Sequence, residues 1–143
     1  MNQREMKKRA REIIEAADAF VLSTVSGKRP QSRVMGTKLV DKGLTIYMET
    51  YADSRKVKHL KKNSSAQLLF MSKDKSEVVT LSGKATLDDS VSLKKRIWAK
   101  NPASAKYFSG YEDPRLAIIR FTPETLEYVG PQTNTDIIKV KLR

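Results

Sequence analysis

Apolar and polar positions follow two different rhythms along this chain, and each change of rhythm marks a new element. Met6, Ala10, Ile13, Ile14 and Ala17 recur at helical spacing with charged residues between them, which predicts an amphipathic helix over residues 3–17. Residues 19–25 form a short apolar run closed by the turn residues Ser26-Gly27-Lys28-Arg29-Pro30, and a second strand is predicted from Gln31 to Val40. Asp41-Lys42-Gly43 has the composition of a tight hairpin, because glycine accepts positive φ freely, and Leu44 to Thr50 is the returning strand. These three strands are expected to pair as a meander.

Either Asp53 or Ser54 supplies the cap of a helix that begins at Arg55, carries Val57 and Leu60 on one face and ends near Asn63. Strands over 66–71 and 77–87 flank the polar loop Ser72 to Ser76. Asp88, Asp89 and Ser90 precede a helix with Val91, Leu93, Ile97 and Trp98 at its apolar positions, and Pro102 interrupts it. Beyond Tyr107, Phe108 and Gly110, strands are predicted over 115–121, 126–129 and 137–142. Helices and strands do not alternate as a parallel βαβ sheet requires. The order predicts a mainly β, α+β domain: an antiparallel barrel with helices at its ends. No repeat or linker interrupts the chain, so one domain is expected over residues 1–143, long enough to bury a continuous core.

Composition narrows the chemistry. The absence of cysteine excludes disulfides, thiolate zinc sites, iron–sulfur clusters and a cysteine nucleophile. The charged opening MNQREMKKRAREIIEAAD has no apolar centre of the signal-peptide kind and no run approaches membrane-spanning length, so a cytoplasmic protein is expected. The net charge of +12 favours polyanions or phosphorylated small molecules as partners. The basic residues are scattered over the first helix, residues 54–62, residues 94–106 and the tail 139–143, with no recognition helix or aromatic-basic strand platform to favour nucleic acid. The single histidine, His59, lies among lysines, where neither a metal site nor a serine–histidine–acid triad has the further groups it needs. Trp98 is assigned to packing, and Tyr107, Phe108 and Tyr111 to packing or to the cover of a substrate cavity.

The segment from Arg33 to Lys56 concentrates the remaining signal. An antiparallel hairpin through Gly43 brings Arg33 towards Thr50, and Thr50 leads into Ser54-Arg55-Lys56 at the start of a helix. Unpaired N–H groups at a helix amino terminus, with a hydroxyl and two cations beside them, suit a phosphate monoester. Arg33 and Lys38 are five residues apart and cannot share a strand face by simple alternation. Either a bulge near Gly36 reconciles them or Lys38 meets another part of the ligand.

The stretch LTIYMET, a short loop and SRKVKHLKKNSSAQLLF, together with LSGKATL and YFSGYEDPRLAIIRFTPETLEYV, resembles the pyridoxamine 5′-phosphate oxidase-like family of FMN-binding split barrels, in its short general-stress-protein branch. The resemblance implies a split-barrel flavoprotein that binds FMN between the two subunits of a homodimer. It implies FMN contacts from Arg33, Val34 and Met35, from Lys38, from Tyr47, Met48 and Thr50, and from Ser54, Arg55 and Lys56. Relatives of similar size bind deazaflavin or heme instead. Authentic pyridoxamine phosphate oxidases carry a carboxy-terminal tryptophan and basic residues where this chain reads DIIKVKLR, so vitamin B6 oxidation is not expected. The expected activity is that of an FMN-dependent oxidoreductase on an unknown small molecule, with a non-catalytic flavin-storing or sensing protein as the alternative. No carboxylate pair stands out as an acid–base couple, and no catalytic residue is assigned.

Overall fold

The computed structural model describes residues 1–133 and 138–143. Among them, eight strands form one antiparallel sheet: β1 (Phe20–Ser26), β2 (Arg29–Met35), β3 (Leu39–Val40), β4 (Ile46–Tyr51), β5 (Ser65–Met71), β6 (Val78–Leu87), β7 (Leu116–Val129) and β8 (Ile138–Lys141). The helices are α1 (Gln3–Ala16), α2 (Arg55–Lys62) and α3 (Val91–Lys100). Strand order is β2-β1-β5-β6-β7-β4-β3, with β8 on β7. The two edges, β2 and β3, are consecutive in the chain and joined only by Gly36-Thr37-Lys38. The sheet therefore curls back on itself by covalent connection without a hydrogen-bonded seam, which is an open, split-barrel α+β fold.

That seam corrects the expected meander. The run 31–40 is not one strand: Arg33 pairs with Leu22 on β1, whereas Leu39 pairs with Tyr47 on β4. Its interruption leaves backbone groups that side chains satisfy. Thr37 Oγ1 accepts from the Glu49 N–H at 3.2 Å, and Asn101 donates to the Lys38 carbonyl at 3.2 Å. The Asp41-Lys42-Gly43 turn is a 3-10 turn with Gly43 at φ 63° and Leu44 at φ 59°, so the chain turns through two left-handed residues.

A second correction concerns residues 115–129, where two predicted strands are one continuous 14-residue β7. Pro123, which cannot donate to a ladder, sits where the register with β6 shifts between Ser82 and Gly83, leaving Glu124 as the extra residue. The amino-terminal half of β7 pairs with β4 and its carboxy-terminal half with β8. Of the strand predicted over 137–142, residues 138–141 are observed as β8, and Ile137 lies outside the described residues.

The larger core fills the barrel with Phe20, Leu22, Met48, Leu68, Phe70 and Phe121, and Met6, Ala10, Ile13 and Ile14 of α1 complete it. A capping box fixes the start of α1, with Glu5 N–H donating to Asn2 Oδ1 at 2.8 Å. Farther along α1, Arg9 Nε donates to Glu77 at 2.9 Å and Tyr128 O–H to the same carboxylate at 2.6 Å. The Arg9 partnership holds Glu77 below the ordinary carboxylate range, and burial, followed by Glu77, pushes Tyr128 up to about 12. A second apolar cluster, Leu39, Tyr47, Leu93, Ile97, Phe108, Leu116 and Ile118, lies on the other face of β4 under α3.

Candidate functional site

The seam between β2 and β3 opens beside the end of β4 and the amino end of α2, and cationic groups gather there. Ser54 is the N-cap of α2, yet its side chain makes no capping bond, and no acid stands in the first turn. The leading N–H groups of α2 thus have no side-chain cap from Ser54, and Arg55 and Lys56 occupy the turn where the helix dipole disfavours cations. Lys56 Nζ donates to Thr50 Oγ1 at 2.9 Å. From the opposite side, Arg33 Nη1 donates to Thr24 Oγ1 at 2.7 Å and to the Gln31 carbonyl at 3.1 Å. Its Nε and Nη2 have no partner among the described residues, and no ion pair among them involves Arg33, Arg55 or Lys56.

Electrostatics shows the same lack of compensation. Burial and then Arg55 pull Arg33 below its usual value; burial and then Arg33 do the same to Lys56. His59 joins the group through Thr24, whose buried hydroxyl lies 2.9 Å from His59 Nδ1. Because Thr24 Oγ1 accepts from Arg33, its own proton is available to Nδ1, which favours the neutral imidazole. Burial, Arg33, Arg55 and Lys62 all lower the His59 pKa, and no acid opposes them. The imidazole is the chain's only one and gives an isolated NMR signal. It is expected to titrate below the ordinary histidine value in unliganded protein and to move upward when a phosphate monoester binds; a signal that does not respond would separate His59 from the ligand.

Beside this corner lies a cleft of about 270 Å³ whose walls include Val34 to Thr37, Glu49, Thr50, Lys56, Ser104 and Phe108. Tyr51 packs on Phe108 with ring centroids 4.9 Å apart. Glu49 is only 5% exposed; Ser104 Oγ donates to its Oε1, and Oε2 has no partner among the described residues. Burial raises the Glu49 pKa, against the opposing pull of the Ser104 hydrogen bond.

A family model described as pyridoxamine 5′-phosphate oxidase like matches residues 5–141. The chain belongs to this family. It is 27% identical over 140 residues to General stress protein 26 of Bacillus subtilis (strain 168), covering 96% of this chain and 97% of that protein. The crystal structure of General Stress Protein 26 from Bacillus anthracis str. Sterne superposes with a TM-score of 0.80 at 23% identity, covering 95% of this chain and 99% of that one. A related protein from Clostridium acetobutylicum gives 0.83 at 21% identity, covering 98% and 96%. These two structures share the fold.

In this pyridoxamine phosphate oxidase-like chain, the structure brings together Arg33, Thr50, Ser54, Arg55 and Lys56, and places Val34 and Met35 on the cleft wall. It does not bring Lys38 there. The Lys38 ammonium donates to the Ala17 carbonyl at the end of α1, in a separate hollow with Glu15, Lys100 and Asn101. Met48 is fully buried in the barrel core, and Tyr47 lies in the second core with Arg120 over its ring at 5.5 Å. Sequence reasoning missed Thr24, Thr37, Glu49 and Ser104. Only Glu49 carried a signal, as the one charged residue in the strand IYMET. No helix among the described residues is long and apolar enough to cross a membrane.

Proposed function

We propose that this chain is an FMN-dependent oxidoreductase of a small molecule, with the FMN phosphate in the corner of Arg33, Ser54, Arg55 and Lys56. The observation that carries the reading is the uncompensated cationic cluster: Arg33, Arg55 and Lys56, three cations with no acid partner among the described residues, at an uncapped helix start. A protein keeps such an arrangement at a cost to its stability, and a dianionic ligand removes the cost. The free edge of the Arg33 guanidinium and the first N–H groups of α2 suit the oxygens of a phosphate monoester. Val34 to Thr37 provide backbone and small side chains along which a planar ring can lie, and Phe108 and Tyr51 limit water on the far side.

The proposed assembly is a homodimer. The outward rows Val34–Val21–Leu69–Thr80 and Ser32–Ser23–Gln67–Ser82 run across β2, β1, β5 and β6 without one charged residue, in a chain that is 31% charged. Val34 is 70% exposed on this face. Depletion of charge is characteristic of the centre of protein interfaces. The cleft, at about 270 Å³, is also smaller than most sites for ligands of this size, which run from roughly 300 to 1,000 Å³. A second copy supplies the missing wall.

Bound FMN supplies the redox chemistry, and the protein contributes binding, orientation and shielding. The test is the visible spectrum of the purified protein after FMN is added and the excess removed, followed by anaerobic reduction with nicotinamide nucleotides. A flavin spectrum with reduction faster than that of free FMN is expected. A spectrum of heme, of deazaflavin or of nothing overturns the cofactor, and reduction no faster than free FMN overturns the enzyme in favour of a flavin-carrying protein.

A further inference from the structure

Glu49 has no role in the phosphate corner, yet it lines the same cleft as Lys56. Its neighbours satisfy only half of it. Its N–H is held by Thr37 and its Oε1 by Ser104, whereas Oε2 is sealed from water without a partner among the described residues. A carboxylate in that position leaves a charged, unpaired oxygen in an apolar setting beside Phe108, the costliest of the available states. The acid form avoids the charge and leaves one O–H donor unused.

No ion pair among the described residues involves Glu49. The titratable groups lining the cleft with Glu49 are Lys56 from α2, Tyr51 from its own strand and Tyr107 beyond the turn at Pro102–Lys106. Lys56 is engaged by Thr50, and burial dominates the upward shift of Glu49. The terminal torsion of a glutamate side chain is soft, so a turn of the carboxyl head presents the O–H to the cleft.

Building on the FMN reading, we propose that Glu49 carries a proton at neutral pH and donates a hydrogen bond to an uncharged acceptor on the ring system of the bound ligand, a carbonyl oxygen or an unprotonated ring nitrogen. Glu49 is then a specificity residue. It favours a ligand with a phosphate at one end and a hydrogen-bond acceptor at the other over one that presents only a donor there.

The experiment combines infrared spectroscopy with FMN titration. Difference spectra between wild type and Glu49→Gln at neutral pH are expected to show one protonated-carboxyl stretch, which moves to lower frequency when FMN is added. Glu49→Gln keeps an N–H donor in place of the O–H and is expected to bind FMN within about threefold of wild type; Glu49→Ala is expected to lose roughly tenfold. Absence of the carboxyl band at neutral pH overturns the proposal. So does FMN binding that neither moves the band nor distinguishes Glu49→Ala from wild type, and this second outcome leaves the FMN reading intact. Failure of wild-type protein to bind FMN at all overturns both that reading and the ligand assigned to Glu49.

Discussion

Arg33→Ala is expected to weaken FMN binding by roughly 30- to 100-fold while leaving the unliganded protein about as stable as before. The affinity loss follows from removing a guanidinium whose Nε and Nη2 are unused by the protein, since hydrogen bonds to charged groups contribute about 1.5–3 kcal/mol. The stability expectation has a separate origin. Arg33 gives up bonds to Leu22, Gln31 and Thr24, but its removal also relieves the burial of a cation facing Arg55. Arg33→Lys keeps the charge without the fork and is expected to fall between the two, because a point charge does not match two phosphate oxygens at once. Equilibrium titration with FMN and thermal unfolding without it separate the effects. Equal losses of affinity and stability in Arg33→Ala would make Arg33 a structural residue.

Gly83→Ala is expected to be the most damaging single-methyl change in the chain, at about 2–3 kcal/mol of unfolding free energy or outright failure to fold. A Cβ at residue 83 falls 2.1 Å from the Thr122 carbonyl oxygen and 2.9 Å from Pro123 Cα. Both are backbone atoms, and neither can swing aside as a side chain would. The site is the bulge that lets β7 pass Pro123 and turn the barrel corner, so relief of the clash breaks the β6–β7 ladder at its bend. Gly36→Ala is the control: nothing lies within 4 Å of its added methyl, and a change below about 0.5 kcal/mol is expected by denaturant unfolding. Equal stability of the two variants would contradict the bulge geometry.

These residues show what the sequence discloses and what it hides. Gly83 and Pro123 are each a residue type that disturbs a strand, and neither by itself shows where the ladder shifts. Only their position opposite one another turns two disturbances into one bulge. The split between β2 and β3 is hidden for a similar reason. QSRVMGTKLV holds a single glycine and no proline, and the interruption arises because Arg33 finds β1 while Leu39 finds β4. Local propensity does not record a choice of partner.

The cationic corner was more legible. Ser54, Arg55 and Lys56 are contiguous, and a basic first turn departs visibly from the dipole preference. Its completion by Thr24 and His59 depends on contacts between β1, β2 and α2, elements that no short window of sequence joins. Tyr47 and Met48 show how strand alternation separates neighbours in sequence. Adjacent strand residues face opposite ways, and here Met48 enters the barrel while Tyr47 enters the second core. The same alternation puts Glu49 on the Tyr47 side, facing Ser104.

On the proposed reading, the cluster around Arg33 and Lys56 holds a phosphate monoester. Its most direct test is a comparison of FMN with riboflavin, which has the same ring and ribityl chain without the phosphate, by equilibrium titration of wild-type protein. FMN is expected to bind at least 100-fold more tightly, corresponding to about 2.7 kcal/mol, with an advantage that shrinks as salt is raised. Equal affinity for the two flavins would contradict the account.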